Sequence, residues 1–443
     1  MNETKKTMIF GAVAVGLLVL AAIFSPGKIT PDAFLDRGEP FFPDFTDPNS
    51  ATTLEVVDFD QQTGRAKPFK VTFSDGRWTI PSHHNYPADG QDRLARTAAG
   101  VIDIKKDDFR TDNVSDHVAC GVIDPLDETA GLQGRGQRVT IKGESDRVLA
   151  DFIIGKEVEG RQNIRLVRVP GQNRVYAVRM DIDISTRFED WINTDLLGLT
   201  AKKIERLSLK NYSINERTLS IVNRDDLTLR MSDDQWKADR NREVDTTMMN
   251  EMVNTLAQLA IVGVRPKPTG LSATLKGDQS QQISRSDMRS LQSKGFYLGK
   301  DGQLLANEGE LWTHTTDGII YRLRFGEVVI GSGLAVTAGT AASSEDKTAE
   351  NRYLFITAEF DENYFKQPQN PSNRDFESKE ESLWTDQDRA NKEKADKVDE
   401  WTRKVQTGRG IAGGLNARFA EWYYVISSDS FEKIHRSRSE LVL

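Results

Sequence analysis

The chain has 443 residues, of which 37% are hydrophobic and 28% are charged, and this composition excludes a mainly disordered protein and supports two to three folded domains. The 67 acidic and 59 basic residues give a formal net charge of −8 at pH 7, so the chain lacks the positive field that binds nucleic acid. The one cysteine, Cys120, cannot form a disulfide bond within the chain, so packing must stabilise the fold.

An apolar segment is the first predicted element. Residues 8–25 contain no charged side chain and are long enough, as a helix, to cross a membrane. Lys5 and Lys6 come directly before them, which predicts that residues 1–7 stay in the cytoplasm and that the rest of the chain is exported. A cleaved signal peptide is the alternative, because small residues lie near the end of the segment.

Two small residues in this segment are candidates for partner contact. Ala12 and Gly16 lie four positions apart, a spacing that lets a second helix approach closely. Residues 26–53, which follow the segment, are predicted to form an extended linker.

A unit of strand and hairpin occurs twice in the rest of the chain. Residues 68–80 align without a gap with residues 226–238, and both stretches have apolar residues at every second position on either side of a turn. A predicted strand precedes each hairpin and begins at Leu54 in the first copy and at Ile204 in the second. The pattern predicts antiparallel pairing in both copies.

A predicted helix follows each hairpin. The first opens near Asp89, and the second opens within residues 245–247 and has apolar residues at spacings of three and four. Further strands follow in both copies. The sequence therefore predicts an α+β fold in which mixed or antiparallel sheets and helices form two tandem repeat units, at residues 54–200 and 201–443.

His83 and His84 are adjacent in the segment between the first hairpin and its helix. Paired imidazoles near a carboxylate, here Asp89, are typical of metal and catalytic sites. A hydrogen-bonded turn is the alternative, because the equivalent positions in the second copy hold Asn241 and Arg242. This comparison favours the turn.

Other chemical motifs are scarce. The sequence contains no phosphate-binding glycine loop and no Gly-x-Ser-x-Gly elbow, so we expect no nucleotide, no other cofactor and no catalytic serine of that kind. His117 and Cys120 form an H-x-x-C pair, for which zinc binding and a buried apolar cysteine are alternatives. The missing second pair favours the buried cysteine.

A long charged stretch lies near the C-terminus. Residues 373–406 contain neither proline nor glycine and alternate in charge, which predicts a helix inserted into the second repeat unit. This helix either rests one edge on its own domain or binds a partner, and Trp384 and Trp401 are the candidates for partner contact. The glycine-rich residues 407–419 are predicted to form a return loop.

Several of these segments together resemble the bacterial DUF4340 family, whose members have no defined function. The segments are the Trp-centred hairpins, "FFPDF" from Phe41, "GVIDP" from Gly121, "FIIGK" ending at Lys156, "RVYAVR" from Arg174 and "DLLGLTAKKIERLSL" from Asp195. The resemblance implies a membrane-tethered extracytoplasmic protein, often encoded beside ABC-2 type exporters whose auxiliary subunit is similar to gliding-motility transport proteins. It implies no catalytic residue.

The predicted protein is therefore a single-pass component of the bacterial inner membrane with its C-terminal part in the periplasm. We expect a non-enzymatic accessory or scaffold subunit whose partners are the membrane and ABC-type transporter subunits of an export or envelope complex. Two alternatives remain open. One is an envelope metallo-hydrolase that uses His83, His84 and Asp89, and the other is a module that binds a small ligand.

Overall fold

The computed structural model describes most of the chain, namely residues 10–17, 36–182, 184–215, 217–218, 220–277, 283–299, 302–331, 336–338 and 350–443, without the side chains of residues 223 and 224. Within the predicted membrane segment 8–25, only residues 10–17 are described, and they form an exposed helix, α1. The predicted cytoplasmic residues 1–7 and the first part of the linker at 26–53 lie outside the described residues. In the described part of the chain, no helix combines the length and the apolar character that a membrane crossing needs.

The chain forms two compact units. Unit 1 contains the described residues up to Pro68 together with Leu94–Ile184, and unit 2 contains Phe69–Arg93 and Ser185–Leu443. The compact units therefore place residues 69–93 and 185–200 with the second half of the chain. The predicted division at residue 200 rests on sequence similarity rather than on compactness, and it stays a prediction.

Unit 1 is built on an antiparallel sheet. Its strands are β1 (Thr53–Asp60), the start of β2 (Arg65–Ser74), β5 (Asp108–Thr111), β6 (Gln137–Lys142), β7 (Val148–Glu157), β8 (Ile164–Arg168) and β9 (Val175–Arg179). They lie in the order β2-β1-β6-β7-β8-β9-β5. The helices are α2 (Gln91–Ile102), whose first turn begins in unit 2, and the short α3 (His117–Cys120).

Unit 2 has a larger set of strands. They are the end of β2, β3 (Arg77–Ile80), β4 (Tyr86–Pro87), β10 (Ile204–Asn215), β11 (Ser220–Ser232), β12 (Gln235–Ala238), β13 (Gly263–Pro266), β14 (Phe296–Leu298), β15 (Leu304–Ala306), β16 (Glu310–Thr315), β17 (Ile319–Ile330), β18 (Glu350–Phe360) and β19 (Trp422–Ile426). Eight of them form a sheet in the order β12-β11-β10-β16-β17-β18-β19-β13, and β14 pairs with β15.

Helices of unit 2 follow or interrupt these strands. They are α4 (Thr246–Ala257), α5 (Thr269–Leu275), α6 (Arg285–Gln292), α7 (Asp386–Phe419), α8 (Ser428–Ile434) and α9 (Arg438–Leu441). Short 3-10 helices in the two units lie at Pro48–Ser50, Pro81–His83, Val114–Asp116, Glu144–Asp146, Phe188–Trp191, Ala201–Lys203, Asp239–Asn241, Asp375–Ser378 and Glu381–Leu383. The predicted α+β class with antiparallel sheets is confirmed.

Both predicted hairpins are present, and their turns have the expected backbone. Asp75 and Gly76, between β2 and β3, have φ values of 53° and 75°. Asp233 and Asp234, between β11 and β12, have φ values of 50° and 60°. Two-residue hairpin turns of this kind need positive φ, which aspartate tolerates better than most residues.

The second predicted helix, α4, begins where the sequence indicates. The side chain of Asp245 accepts a hydrogen bond of 2.9 Å from the backbone N–H of Met248, so Asp245 is the N-cap. Four apolar residues of α4 at the predicted spacings are buried, and they are Met249, Met252, Val253 and Leu256. The first predicted helix, α2, begins at Gln91, two residues after Asp89.

The predicted helix at 373–406 and loop at 407–419 differ from the structure. The continuous helix α7 begins only at Asp386, after a Thr385 N-cap, and runs through the glycine-rich stretch to Phe419. The predicted return loop was therefore wrong. Contacts with β18 explain the difference, because the Asn416 side chain makes two hydrogen bonds with the backbone of Ala358, at 2.9 and 2.6 Å. Such contacts offset the low helix propensity of glycine.

Gly408 provides a test of this packing. A Cβ atom at Gly408 would lie 2.3 Å from the ring of Phe360, whereas a Cβ atom at Gly410 would have no neighbour within 4 Å. We expect Gly408→Ala to destabilise the protein by roughly 1–3 kcal/mol through overpacking, and Gly410→Ala to stabilise it by about 1 kcal/mol through helix propensity. Urea unfolding of both variants measures the difference. Equal stability of the two variants would contradict the helical packing of residues 407–419.

Candidate functional site

The loop that contains His83 and His84 lies in unit 2, between β3 and β4. It begins as the 3-10 helix at Pro81–His83, and His84 and Asn85 then both adopt a left-handed backbone with a φ value of 59°. Asparagine is among the residues that tolerate this conformation best. The loop therefore reverses direction within two residues and brings both imidazole rings to the same part of unit 2.

Both ring nitrogens of His83 are hydrogen bonded. Nδ1 lies 3.0 Å from the hydroxyl of Ser82, and Nε2 lies 2.8 Å from the hydroxyl of Thr337. The ring stacks on Phe188 with a centroid distance of 4.6 Å and an interplanar angle of 12°, and only 1% of the residue is exposed. Because hydroxyl groups can donate or accept, either tautomer of His83 satisfies both contacts.

His84 contacts the residue that follows Thr337. Its Nε2 donates a hydrogen bond of 2.8 Å to the carbonyl oxygen of Ala338. The carbonyl oxygen of Val336 accepts a 2.9 Å hydrogen bond from Arg265 Nη1. Val336, Thr337 and Ala338 are therefore each held by a hydrogen bond. The two histidines form the bonds to Thr337 and Ala338.

Burial is the main cause that lowers the pKa of His83 to about 4, and His84 and Arg265 make smaller electrostatic contributions. His83 is therefore neutral near pH 7. A neutral imidazole can ligate a metal or act as a base only through a free nitrogen, but the two nitrogens of His83 already contact Ser82 and Thr337. The geometry matches a structural role.

The other predicted ligands do not join this pair. Asp89 is exposed, and its backbone N–H donates a 2.8 Å hydrogen bond to the carbonyl of Trp191. In unit 1, His117 Nε2 donates a 2.8 Å hydrogen bond to the carbonyl of Asn173. Among the described residues, no group of three or more His, Cys, Asp or Glu side chains could hold a metal ion.

Cys120 of the H-x-x-C pair is buried in unit 1. It belongs to an apolar cluster with Val122, Ile153, Leu166, Val175 and Ala177. Burial raises the pKa of its thiol above the usual range. The side chain therefore behaves as a small apolar core residue.

The predicted partner-contact residues differ in exposure. Ala12 and Gly16 lie exposed on α1. Trp384 is half-buried against Phe376, with 5.9 Å between ring centroids. Trp401 on α7 is also half-buried, and its indole N–H donates a 3.0 Å hydrogen bond to the carbonyl of Phe365. Only part of each indole is available to a partner.

Sequence reasoning missed a cavity of about 490 Å³ in unit 2. Side chains of β10, β16 and β17 line its floor, and β11 and the β14–β15 hairpin line its walls. The available signal was the alternation of charged and apolar residues in β17. That pattern is also typical of a strand with one face in solvent, so it could not reveal the cavity.

A network of buried polar side chains forms part of the cavity lining. The carboxylate of Glu310 accepts hydrogen bonds from the Tyr212 hydroxyl at 2.5 Å and from the Trp312 indole at 2.8 Å. Arg324 Nε lies 3.7 Å from the same carboxylate. Burial, together with the neighbouring Glu310 charge, raises the pKa of Tyr212 well above its usual range. Within this network, the positive charge of Arg324 compensates the buried negative charge of Glu310.

Two cations contact the Trp312 ring at the mouth of the cavity. Lys210 Nζ lies 3.6 Å from the ring centroid and Arg322 Cζ lies 3.9 Å from it. Lys210 comes from β10 and Arg322 from β17, the strands on either side of the strand that carries Trp312. The indole ring thus lies between an ammonium and a guanidinium group, an arrangement that cation–π attraction stabilises.

Comparison with known families identifies part of the chain. Residues 78–274 match the model of the DUF4340 family, described as a domain of unknown function. This chain contains a DUF4340 domain. The predicted resemblance is confirmed over these residues, which make up less than half of the chain. No curated protein and no solved structure matches the chain.

The DUF4340 match includes the histidine loop and part of the cavity. His83, His84 and the β10 residues Lys210 and Tyr212 fall within residues 78–274. The β16 and β17 residues of the cavity follow the matched region. The domain description assigns a function to none of them, so any role must be argued from their geometry.

The histidine loop predicts a pH-dependent stability. The unfolded chain binds the His83 proton at the ordinary pKa of 6.5, and the folded chain binds it only near pH 4. We therefore expect the free energy of unfolding to fall as the pH falls from 6.5 to 4, with a His83 contribution of up to about 3 kcal/mol. Urea unfolding across this pH range measures it.

A matched pair of variants isolates His83. His83→Phe removes the titrating ring, so the slope of unfolding free energy against pH should fall by the contribution of one proton. His314, whose pKa is also lowered to about 4, should keep its own contribution to that slope. Thr337→Val removes a hydrogen-bond partner but leaves the ring in place, so it should retain the slope. An unchanged slope in His83→Phe would contradict the assigned pKa.

Proposed function

We propose that this chain is a non-enzymatic interaction protein that residues 8–25 tether to a membrane, with both units outside the cytoplasm. Its proposed place is that of an accessory or scaffold subunit of an ABC-type export or envelope complex in the bacterial inner membrane. Tethering confines the units near the membrane and raises their effective concentration for a neighbouring transporter. The observation that carries the proposal is the exposed surface of α7.

Helix α7 presents a long charged surface to solvent. Its 34 residues correspond to a length of about 51 Å, and few of its side chains are buried. Three ion pairs at i,i+4 spacing lie on the exposed side, namely Lys392–Asp396, Lys397–Glu393 and Lys404–Glu400. Exposed pairs of this kind contribute at most about 1 kcal/mol each to stability. Most of the charge on α7 is therefore available to a partner.

We further propose that the chain arose from an internal duplication, which gives the two tandem repeat units. The strand order supports this proposal. Apart from the edge strand β4, which has no counterpart, the sheet order β3-β2-β1-β6-β7-β8-β9-β5 becomes β12-β11-β10-β16-β17-β18-β19-β13 when each strand is replaced by its counterpart in chain order. A duplicated unit favours a scaffold, because it supplies two similar surfaces on one chain.

A second candidate function is a module that binds a small ligand, and the cavity in unit 2 favours it. The metallo-hydrolase alternative lacks comparable support, because Nε2 of His83 and Nε2 of His84 contact Thr337 and Ala338. The two remaining candidates make different predictions. The accessory role requires a protein partner, whereas the ligand module does not.

The tether gives the first test of the accessory role. A chain that lacks residues 8–25 should leave the membrane fraction and appear in the soluble fraction after cell lysis and ultracentrifugation, because the proposed apolar crossing is gone. The full chain should stay with the membranes after a high-salt wash. Retention of the shortened chain in the membrane fraction would contradict a tether at these residues.

The surface of α7 gives the second test. After crosslinking at native expression and extraction in mild detergent, the full chain should recover a membrane protein. The double variant Lys397→Glu and Lys404→Glu should lower that recovery about tenfold, which corresponds to 1.4 kcal/mol of binding free energy.

Lys67 and Lys203 supply the matched control, because each is 53% exposed and is paired with an aspartate that is not part of α7, namely Asp60 and Asp317. The double variant Lys67→Glu and Lys203→Glu carries the same change of charge and should keep the wild-type recovery. If no membrane protein is recovered with the wild-type chain, or if both double variants behave alike, the role assigned to α7 is wrong.

A further inference from the structure

The chain is attached to unit 1 from a point close to the proposed membrane segment. The segment ends at residue 25, and backbone hydrogen bonds hold the chain on unit 1 soon after Asp36. The N–H of Gly38 donates to the carbonyl of Lys106 at 2.7 Å, and the N–H of Phe41 donates to the carbonyl of Ile104 at 3.0 Å. Residues 26–35 therefore separate the proposed tether from unit 1, and a fully extended stretch of that length spans at most roughly 36 Å.

Side chains fasten this point of attachment. The carboxylate of Asp36 accepts a hydrogen bond from the Tyr176 hydroxyl, and it lies 3.4 Å from Lys106 Nζ and 3.7 Å from the Arg174 guanidinium. Phe41 is buried and packs edge-on against the Tyr176 ring, with 5.2 Å between ring centroids. These contacts keep the chain after Asp36 from acting as further spacer, so unit 1 stays near the bilayer that holds the proposed tether.

The connection between β5 and β6, residues 112–136, carries most of the exposed apolar side chains of unit 1. In the described part of unit 1 after α1, five bulky apolar side chains are exposed. Four of them, each 46–55% exposed, lie in this connection and are Val114, Val118, Leu126 and Leu132. Single exposed apolar side chains are ordinary, but a concentration of them marks a surface that binds a protein or a membrane.

Contacts gather these side chains. Val114 and Val118 lie four residues apart, along the 3-10 helix and the short helix α3 that follows it. Gly134 packs on the backbone of Val118, because a Cβ atom at Gly134 would lie 2.5 Å from the Val118 carbonyl oxygen. This contact brings the stretch that contains Leu132 to α3.

The loop that contains Leu126 is fixed to the same connection. The guanidinium group of Arg135 donates five hydrogen bonds, of 2.6–3.1 Å, to carbonyl groups of residues 124–131. Arg135 directly follows Gly134, so the loop is held next to the stretch that packs on α3. We call the four exposed side chains of this connection the apolar surface of unit 1.

The apolar surface lies in the part of unit 1 where the chain from the proposed tether arrives. Arg174 links the two, because its guanidinium group lies 3.7 Å from the Asp36 carboxylate and donates a 2.9 Å hydrogen bond to Asp112. Asp112 comes two residues before Val114. The short stretch 26–35 can therefore bring this surface to the bilayer.

The charges around the apolar surface are mixed. Arg110, Lys156 and Asp116 all lie close enough to Cys120 to act on its thiol, and Asp127 and Glu128 belong to the loop between the two leucines. Positive and negative groups nearly balance, so an anionic surface has little advantage over a neutral one. The attraction must come from the apolar side chains.

We propose that the apolar surface of unit 1 rests on the lipid bilayer that residues 8–25 anchor in, with its four side chains at the boundary between headgroups and acyl chains. This inference rests on the proposed tether and adds a second membrane contact to it. Four half-exposed side chains bind a bilayer weakly by themselves, but the tether supplies a high effective concentration of lipid. The contact determines which side of unit 1 faces the membrane.

A fluorescent dye that responds to the polarity of its surroundings tests the proposal in the full chain, reconstituted in phosphatidylcholine vesicles. In a Cys120→Ala background, Ala119→Cys places the dye at an exposed position next to Val118. Glu144→Cys is the control, because Glu144 is exposed just beyond the other end of the six-residue strand β6, about 20 Å away. We expect blue-shifted emission and quenching by lipid-bound quenchers at residue 119, and neither at residue 144.

Matched variants locate the contact. The double variant Val114→Ser and Val118→Ser should shift the equilibrium of the dye at residue 119 about tenfold towards the water-exposed state, because less apolar surface is buried. Val148→Ser is the control, since Val148 is 56% exposed but follows the turn at the other end of β6, and it should leave the signal unchanged. The signal should also persist in molar salt, which screens charges but not apolar contact.

Sedimentation with the vesicles reports on the tether separately. A chain that sediments with the vesicles while the dye at residue 119 stays as water-exposed as at residue 144 would overturn this inference and leave the tether intact. A chain that does not sediment would refute the tether and this inference with it.

Two further results would overturn the proposal. One is a dye signal that grows with the ratio of protein to lipid, which would assign the surface to contact between copies of the chain. The other is an unchanged signal in the double serine variant. Leu126→Ser gives the same test if the circular dichroism spectrum shows that the double variant fails to fold.

Discussion

The register between β17 and β18 determines which side chains of unit 2 enter the core and which enter the cavity. Arg322 pairs with Thr357, and Leu323 pairs with Ile356. Because successive side chains point to opposite faces, the arginines lie on one face of β17 and the fully buried Leu323 lies on the other. A slip of one residue would exchange the two sets and place guanidinium groups in the core. The polar cavity and the apolar core therefore depend on the same register of paired residues between β17 and β18.

The histidine loop shows how unit 2 is assembled from distant parts of the chain. His83 and Thr337 are in contact across 254 residues of sequence. Contacts of such long range carry a large loop-closure cost and tend to slow folding. Unit 2 can be completed only after β19 is present, because the segment Phe69–Arg93 belongs to the same compact unit as Ser185–Leu443 and the ring of Tyr86 packs against Trp422 of β19. Residues that resemble a catalytic motif thus serve as a long-range connection.

Local signals predicted the local features of this fold. The hairpin turn at Asp75 and Gly76 and the N-cap at Asp245 depend on neighbouring residues, so the sequence pattern was sufficient for both. Residues 407–419 were predicted as a loop because their glycines disfavour a helix, and only the contacts with β18 reverse that preference. The contact between His83 and Thr337 has no local signature. The cavity was invisible for a related reason, since its residues come from five strands.

Cys120 gives unit 1 a built-in chemical reporter. It is the only cysteine in the chain, it is buried, and its thiol has a raised pKa. A thiol reagent reacts with the thiolate form, so modification requires transient opening of the surrounding cluster. The alkylation rate of the wild-type chain therefore measures the local unfolding of unit 1 without an engineered label, while unit 2 contributes no background.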